Sequence, residues 1–439
     1  MGVAPTVDEL AAATPTTRDR TVDFLRAASM LVVALGHWLM AVVTVDDGAL
    51  RGANAIALVP GLWLATWVLQ VMPVFFFVGG FSNCVTLDSF HRRGARYSEF
   101  FRSRVQRLLH PVIVLLVAWT AVALALQAIG VREPMLRSTT KAITGPLWFV
   151  AVYIGVTALA PVMLRAHRRF GVWVLVALAA SAVIVDVARL RVGLTAAGAL
   201  NLAFVWLCVH QLGFFYADGQ LLQLSRRTLA RAAVGGIGAL VALTQLGPYP
   251  GSMVGMPGER ISNMGPPTIC VLALTAFQVA GVLLIRPRLN QWLARPRPWK
   301  AVIAANSVLM TVFCWHLTAM ILLVAAVHGL GIPLSAGGTA GWWLLRPVWI
   351  GLLAVALVPL VAAFARFERP TGPVHPGGST GTAGVSAALL VVGIGGLAAT
   401  GLAPLTSSGT VVAWSMTPVS SGACLLGGLM LTRTSEVRR

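Results

Sequence analysis

Residues 21–45 read TVDFLRAASMLVVALGHWLMAVVTV, and this stretch decides the fold class. It is apolar and long enough to cross a bilayer, which takes about 20 residues of α-helix, yet it contains Asp23, Arg26 and His37. Eleven helical residues return to within about 20° of the starting direction, so Arg26 and His37 share one stripe, about 16 Å apart along the axis. A charge inside a span costs at least about 2.5 kcal/mol, and such residues usually face a protein interior or a wet cavity and mark function.

A structural interpretation of the same residues stays open. Asp23 and Arg26 could form an ion pair at the edge of the span, where long side chains reach the polar interface. His37 could then be a hydrogen-bonded packing residue.

The composition of the whole chain is that of a membrane protein. Of the 439 residues, 57% are hydrophobic and only 11% are charged, whereas soluble proteins have about 25% charged residues. We therefore predict an all-α fold, a polytopic transmembrane helix bundle with about ten core spans and two C-terminal spans. A hydropathy window of about 19 residues places the spans at residues 22–44, 61–87, 106–129, 146–164, 172–188, 198–216, 231–246, 266–285, 301–327, 342–364, 384–403 and 410–431.

Basic residues sort to one side of these spans. With the N-terminus placed in the cytoplasm, 25 of the 33 Lys and Arg residues fall on cytoplasmic segments, as the positive-inside rule describes. This predicts a multi-pass protein of the cell membrane with both termini in the cytoplasm, and it accounts for the formal charge of +19 without a nucleic-acid partner. The polar residues before the first span are interpreted as a cytoplasmic tail and not as a cleaved signal peptide.

The pattern of spans and polar stretches predicts four segments. They are a tail over residues 1–20, a ten-span membrane domain over 21–366, a Gly/Ser/Thr-rich linker over 367–383, and a two-span extension over 384–439 that packs through small residues. The Gly- and Pro-rich residues 247–267 are either an ordered or re-entrant lid over an outer-facing cavity or an ordinary exposed turn. The five cysteines lie in apolar segments without paired spacing, so we predict neither disulfides nor a metal site.

Several motifs together resemble the acyltransferase-3 family of integral membrane O-acyltransferases, in its actinobacterial type. Arg26 and His37 match the family's motif of Arg, ten residues and His in the first span, and Arg104 and Arg107 match its Arg-x-x-Arg pattern. Many members have Ser at the position of Gly79, so no role is carried over to that residue. The resembling segments cover about residues 21–366 and are VDFLRAASMLVVALGHW (22–38), MPVFFFVGGFSN (72–83), RSRVQR (102–107), GPLWFVAVYIGVTALAP (145–161), HQLGFFYADG (210–219) and MTVFCWHLTA (310–319).

The resemblance implies an enzyme that transfers acyl groups other than amino-acyl groups. The expected reaction moves an acyl group, expected to be acetyl, from cytoplasmic acyl-CoA to a hydroxyl of a cell-envelope carbohydrate, a glycolipid or a secondary metabolite. The expected partners are the acyl-CoA donor (acetyl-CoA), the carbohydrate or lipid acceptor and the lipid bilayer, with no bound cofactor.

Catalytic roles follow for the polar residues of the spans. His37 suits a general base for the attacking hydroxyl, or it could carry the acyl group itself. Arg26 could bind a CoA phosphate or stabilise developing negative charge, and Asp23 could orient Arg26. His316 could be an alternative base, a partner that fixes the tautomer of His37, or a packing histidine. His210 is expected to be structural.

Donor binding is expected near the third span. Arg104 and Arg107 face the same way on a helix, and the guanidinium fork suits phosphate. Arg102 extends this group, although arginines at this position could instead anchor the chain to anionic lipid. Trp148 could line the pocket or lie at the membrane interface.

A different class of function explains some of the same residues. In a membrane transporter of a lipid or solute, Arg26 and His37 would act as relay or gating residues. The absence of a convincing internal repeat in the sequence weakens this alternative.

Overall fold

The computed structural model describes residues 6–15, 17–46, 49–256, 259, 261–368, 379–405, 408–411 and 414–434. Among these residues, 11 helices are long and apolar enough to cross a membrane, and a shorter apolar helix lies near the C-terminus. The predicted all-α polytopic bundle is therefore confirmed. Most of the predicted linker, residues 369–378, lies outside the described residues.

The helices and strands follow one another along the chain with short connections. The helices are α1 (Val7–Ala12), α2 (Arg20–Met40), α3 (Ala55–Leu58), α4 (Thr66–Leu69), α5 (Met72–Arg92), α6 (Tyr97–Ala128), α7 (Glu133–Thr144), α8 (Trp148–Phe170), α9 (Val172–Leu190), α10 (Asn201–Ala217), α11 (Arg226–Val241), α12 (Ile269–Leu293), α13 (Pro296–Ser307), α14 (Leu309–Gly329), α15 (Ala340–Phe364), α16 (Thr380–Thr400) and α17 (Pro418–Thr434). The strands form two antiparallel pairs, β1 (Ala41–Asp46) with β2 (Ala49–Asn54) and β3 (Gly409–Val411) with β4 (Trp414–Met416).

Helices α5 and α10 pack closely against each other in the bundle core. A Cβ atom added at Gly80 would lie 1.9 Å from the carbonyl oxygen of His210, and one added at Gly213 would lie 2.2 Å from that of Phe77. The backbones meet here because both helices carry glycine at the crossing. Stacked rings fill the space beside the crossing, with Phe76 and Trp206 4.3 Å apart between centroids.

The first span is shorter than predicted. The helix ends at Met40, whereas the prediction extended to residue 44. The β-branched run from Val42 to Val45 favours extended backbone, and it forms β1 of the first hairpin instead.

The ninth span was predicted over residues 301–327, but it begins later in the structure, because two helices occupy this segment and the membrane-spanning one is α14 (Leu309–Gly329). α13 ends at Ser307, and α14 begins at Leu309. The carboxylate of Glu368 accepts hydrogen bonds from the backbone N–H groups of Met310 and Thr311, at 2.9 and 3.0 Å. These contacts satisfy N–H groups that are free at the start of a helix, so α14 begins as a separate helix at this point.

Helix α7 lies in a segment for which no element was predicted. It precedes α8 through a short 3-10 turn at Gly145–Leu147 and packs against α6, α14 and α16. Its polar composition kept residues 133–144 below the hydropathy expected of a span, yet its apolar positions form one face that buries Leu136 and Ile143.

The C-terminal extension packs on the preceding domain through α16. Within the extension, a Cβ at Gly393 would lie 2.5 Å from the backbone nitrogen of Leu425, so small residues bring α16 and α17 together. The second helix begins at Pro418, later than the predicted residue 410, because β3 and β4 precede it. α16 also contacts α6, α7 and α8.

Candidate active site

A pair of histidines lies at the centre of the candidate site. His37 comes from α2 and His316 from α14, and His37 Nδ1 is 2.8 Å from His316 Nε2. Their ring planes are within 11° of each other. The indole N–H of Trp38 donates to the carbonyl of His316 at 2.9 Å, which fixes the two helices together at this level.

The contacts of His316 determine which nitrogen of His37 is free. His316 Nδ1 is 2.6 Å from the carbonyl oxygen of Phe313, and a carbonyl oxygen only accepts, so this nitrogen carries the proton. In the neutral ring the other nitrogen is then an acceptor, and His37 Nδ1–H donates to it. The remaining nitrogen of His37, Nε2, keeps its lone pair and is the basic atom of the pair.

A cavity of about 570 Å³ opens beside His37. His37 is exposed, whereas His316 is buried, because only His37 lines this cavity. Trp148 also lines the cavity, which is one of the two locations predicted for this residue. The lining residues are Val32, Val33, Gly36, His37, Met40, Ala41, Ala53, Asn54, Ile56, Ala65, Thr66, Leu69, Gln70, Met72, Lys141, Ala142, Gly145, Pro146, Trp148, Phe149, Val254, Gly255, Met264, Phe313, Leu317 and Met320.

The Gly- and Pro-rich segment after α11 covers part of this cavity and is ordered by hydrogen bonds. The indole N–H of Trp67 donates to the carbonyl of Gly251 at 2.9 Å, and the hydroxyl of Tyr249 donates to Asp186 at 3.0 Å. Burial and then the charge of Asp186 raise the pKa of Tyr249, so its hydroxyl stays a neutral donor. Val254, Gly255 and Met264 of this segment reach the cavity, which fits an ordered lid better than an exposed turn.

Arg26 lies in a polar cluster at the start of α2 and not in the cavity lining. Its Nη2 is 2.9 Å from Asp23 Oδ1, and its Nε donates to Asn306 Oδ1 at 2.8 Å. Asp23 is buried and also pairs with Arg18 at 2.5 Å, and the hydrogen bond to Asp23 raises the pKa of Arg18. The carboxylate of Asp23 therefore holds Arg26 in place, and Asn306 joins this cluster to α13.

The arginines of α6 differ in their surroundings. Arg107 is exposed, whereas Arg102 is buried. Arg104 donates through Nη2 to the carbonyl of Ser82 and to Thr86 Oγ1. Arg26 and Arg107 each lie within electrostatic range of Arg104, so Arg104 is the centre of a group of three cations, of which Arg26 is also paired with Asp23. Their mutual repulsion favours binding of an anion.

Aromatic rings separate the three cations from the histidine pair. Phe313 lines the cavity and meets Phe149 with centroids 4.9 Å apart. The ring centroid of Phe75 is 5.3 Å from that of Phe149 and 5.5 Å from that of Tyr153. Tyr153 is in turn within electrostatic range of Arg104 and Arg26. Among the described residues that line the cavity, none is an arginine.

Four charged residues near the site were missed by the sequence analysis. Arg346 donates to the carbonyls of Trp38 and Ala41 at 3.4 and 3.3 Å, at the end of the helix that carries His37. Asp186 binds the lid, Glu368 binds the start of α14, and Lys141 lines the cavity. The sequence alone could have identified Arg346 and Asp186 as candidate functional residues, because each is an ionisable residue inside a predicted span.

His210 lies apart from the histidine pair, in the buried core. Its Nε2 is 3.1 Å from Asn83 Nδ2, which also donates to Thr157 at 3.3 Å. Within the described ranges, no group of three or more His, Cys, Asp or Glu side chains is placed to hold a metal ion.

Comparison with known proteins gives one match. Residues 19–366 match the acyltransferase domain of the acyltransferase-3 family, and this range contains the histidine pair, the cavity lining and the three cations. No curated protein and no solved structure shows a significant match to the chain. Because the family domain covers most of its length, the chain belongs to the acyltransferase-3 family and is a membrane acyltransferase that transfers groups other than amino-acyl groups.

Proposed function

We propose that this enzyme moves an acetyl or other short acyl group from cytoplasmic acyl-CoA to a hydroxyl of a carbohydrate, glycolipid or secondary metabolite, with His37 as general base. The observation that carries the proposal is the free lone pair of His37 Nε2 beside the cavity. The family membership favours this enzyme over the transporter.

The reaction needs only one basic atom. The acceptor hydroxyl gives its proton to His37 Nε2 while its oxygen attacks the thioester carbonyl carbon. The carbon–sulfur bond then breaks, and the CoA sulfur leaves and takes the proton from the imidazolium. His316 is the positioning residue, because it accepts the hydrogen bond from His37 Nδ1, and that bond becomes stronger when His37 is charged.

The three cations support donor binding at the opposite end of the site. Arg26 and Arg107 both lie within electrostatic range of Arg104, and arginine binds phosphate groups such as those of CoA well. The positive-inside pattern of the sequence favours a cytoplasmic location for this end, and acyl-CoA is a cytoplasmic donor. The acyl arm of the donor would then run past Tyr153 and Phe149 to reach His37.

Acyl transfer in membranes tests the proposal. Membranes with wild type, His37→Ala or His328→Ala at matched expression are incubated with acetyl-CoA labelled in its acetyl group. Label in lipid and glycan fractions and release of CoA are both measured. His328 is the matched control because it is an exposed histidine at the end of α14.

We expect transfer by wild type and by His328→Ala, and a loss of at least about 100-fold in His37→Ala, as for removal of a general base. Unchanged transfer in His37→Ala would refute the role of His37. No turnover with acetyl-CoA or longer acyl-CoAs would refute acyl-CoA as the donor. Label that stays on the protein in the absence of acceptor would instead identify His37 as an acyl carrier.

A further inference from the structure

Among the described residues that line the cavity beside His37, one carries a charged side chain. Lys141 of α7 is exposed and lines this cavity, and it is one of only two lysines in a chain with 31 arginines. In the part of the chain that the structure describes, no carboxylate lies within ion-pair distance of its ammonium group. A cation in a concave site without a counter-ion is suited to an anionic ligand.

The other unsatisfied polar side chains of the lining are hydrogen-bond donors. The Oδ1 atom of Asn54 accepts a hydrogen bond from the backbone N–H of Ile56 at 2.9 Å. The side-chain amide N–H groups of Asn54 are therefore left to donate to a ligand. The indole N–H of Trp148 has no partner among the described residues. Thr66 and Gln70 are already bonded to the backbone of Met253 in the lid. Apart from His37 Nε2, the free side-chain groups therefore suit a ligand rich in acceptor atoms.

The remaining wall of the cavity is apolar. It is formed by aliphatic, aromatic and methionine side chains, and these bind the hydrocarbon or ring portion of a ligand by burying its surface. Such residues include Val32, Val33, Leu69, Phe149, Met264 and Leu317.

Contacts from the C-terminal extension hold α7 in position. Thr140 Oγ1 donates to the carbonyl of Ala403 at 3.1 Å. A Cβ added at Gly401 would lie 2.8 Å from Thr140 Oγ1 and 3.2 Å from the backbone nitrogen of Lys141. The backbone of Lys141 is therefore fixed beside the cavity while its side chain stays free.

We propose that the acceptor substrate has an apolar body and an anionic group, a carboxylate or a phosphate, which Lys141 binds in the same cavity that presents His37 Nε2 to the acceptor hydroxyl. The proposal rests on the proposed function, since it names the class of acceptor for that site. The anionic group has two possible sources, the headgroup of a membrane lipid or a free amphiphilic acid.

Equilibrium binding tests this subsite without turnover. The full chain is placed in nanodiscs of phosphatidylcholine, and retention of labelled ω-hydroxydodecanoate is compared with that of dodecanediol, its neutral counterpart. Empty nanodiscs correct for partition into lipid. The variants are Lys141→Gln, Lys141→Arg and His37→Gln, and each is accepted only if it is monodisperse with unchanged helical content.

We expect wild type to bind the acid at least about tenfold more tightly than the diol, the size of one charged hydrogen bond. Lys141→Gln loses this preference, and Lys141→Arg keeps most of it. His37→Gln keeps it as well, so failure of the catalytic proposal and failure of the subsite are distinguishable. Equal binding of the two probes by wild type, or an unchanged preference in Lys141→Gln, would overturn the proposal.

A second arm identifies the source of the anion. Phosphatidylglycerol, which carries a phosphate and free hydroxyls, is added to the nanodisc lipid. Competition with the acid in wild type and its absence in Lys141→Gln supports a lipid headgroup as the natural ligand. An unchanged affinity for the acid supports a free amphiphilic acid.

Discussion

Replacing His316 with Phe removes the acceptor for His37 Nδ1–H and keeps a ring of similar size in α14. The affected contact is the 2.8 Å hydrogen bond between the two histidines. A net hydrogen bond between neutral groups contributes about 1 kcal/mol, and one with a charged partner about 1.5 to 3 kcal/mol. Only the part gained when His37 becomes charged lowers the barrier. The difference is about 0.5 to 2 kcal/mol, and the middle of this range corresponds to roughly tenfold in kcat.

The assay follows CoA release at saturating donor and separates kcat from KM. We expect kcat to fall about tenfold in His316→Phe, with little change in the donor KM, because the three cations lie elsewhere. His316→Gln offers an acceptor oxygen again and should recover most of the loss. His37→Ala should lose at least about 100-fold.

Two results would refute this reasoning. Full activity in His316→Phe would mean that the hydrogen bond does not orient His37 during the reaction. A loss as large as that of His37→Ala, in a protein with an unchanged thermal midpoint, would mean that His316 is itself the base.

Three further changes test other parts of the structure. Arg104→Gln should raise the donor KM about tenfold through loss of a charged hydrogen bond and leave the acceptor KM unchanged. Arg93→Gln, at an exposed position, should change neither value. Equal donor KM values for the two variants would contradict donor binding at Arg104. Gly80→Ala should destabilise the protein by about 3 kcal/mol or more, because its Cβ would lie 1.9 Å from a carbonyl oxygen of α10. Gly281→Ala, with open space around it, should be neutral or stabilising by up to about 1 kcal/mol. Both effects are measured from thermal midpoints in detergent. Tyr249→Phe removes the hydrogen bond from the lid to Asp186 and should cost about 1 kcal/mol. We expect faster proteolysis within residues 247–267, and an unchanged cleavage rate would argue against Tyr249 as an anchor of the lid.

Local spacing predicted the parts of the site that lie within one helix. His37 and Arg26 are eleven residues apart, and the α-helical repeat alone puts them on one stripe. The partner of His37 is 279 residues away in sequence, and no periodicity relates the two positions. That pairing depends on which spans are neighbours in the bundle, and hydropathy does not encode the order of packing.

The hydropathy of a window also missed elements that are not uniformly apolar. α7 has one apolar face and a polar remainder, so its average resembles that of a loop. Lys141 therefore fell outside every predicted span and was not identified as part of a cavity wall. The break before α14 was missed for a different reason, because it depends on a contact with Glu368, which lies in a distant segment of the chain.

The contact between α16 and α7 divides the site between two parts of the sequence. His37, His316 and the cavity lining fall within residues 19–366, the range that matches the family domain, whereas Ala403 and Gly401, which hold Thr140 and Lys141, fall beyond it. The family domain thus contains His37, the proposed base, while a segment beyond that domain supports one wall of the cavity. A change in that supporting segment would alter which acceptors fit, while the reacting atoms keep their arrangement. A protein built from residues 19–366 alone would lack this support for the cavity wall.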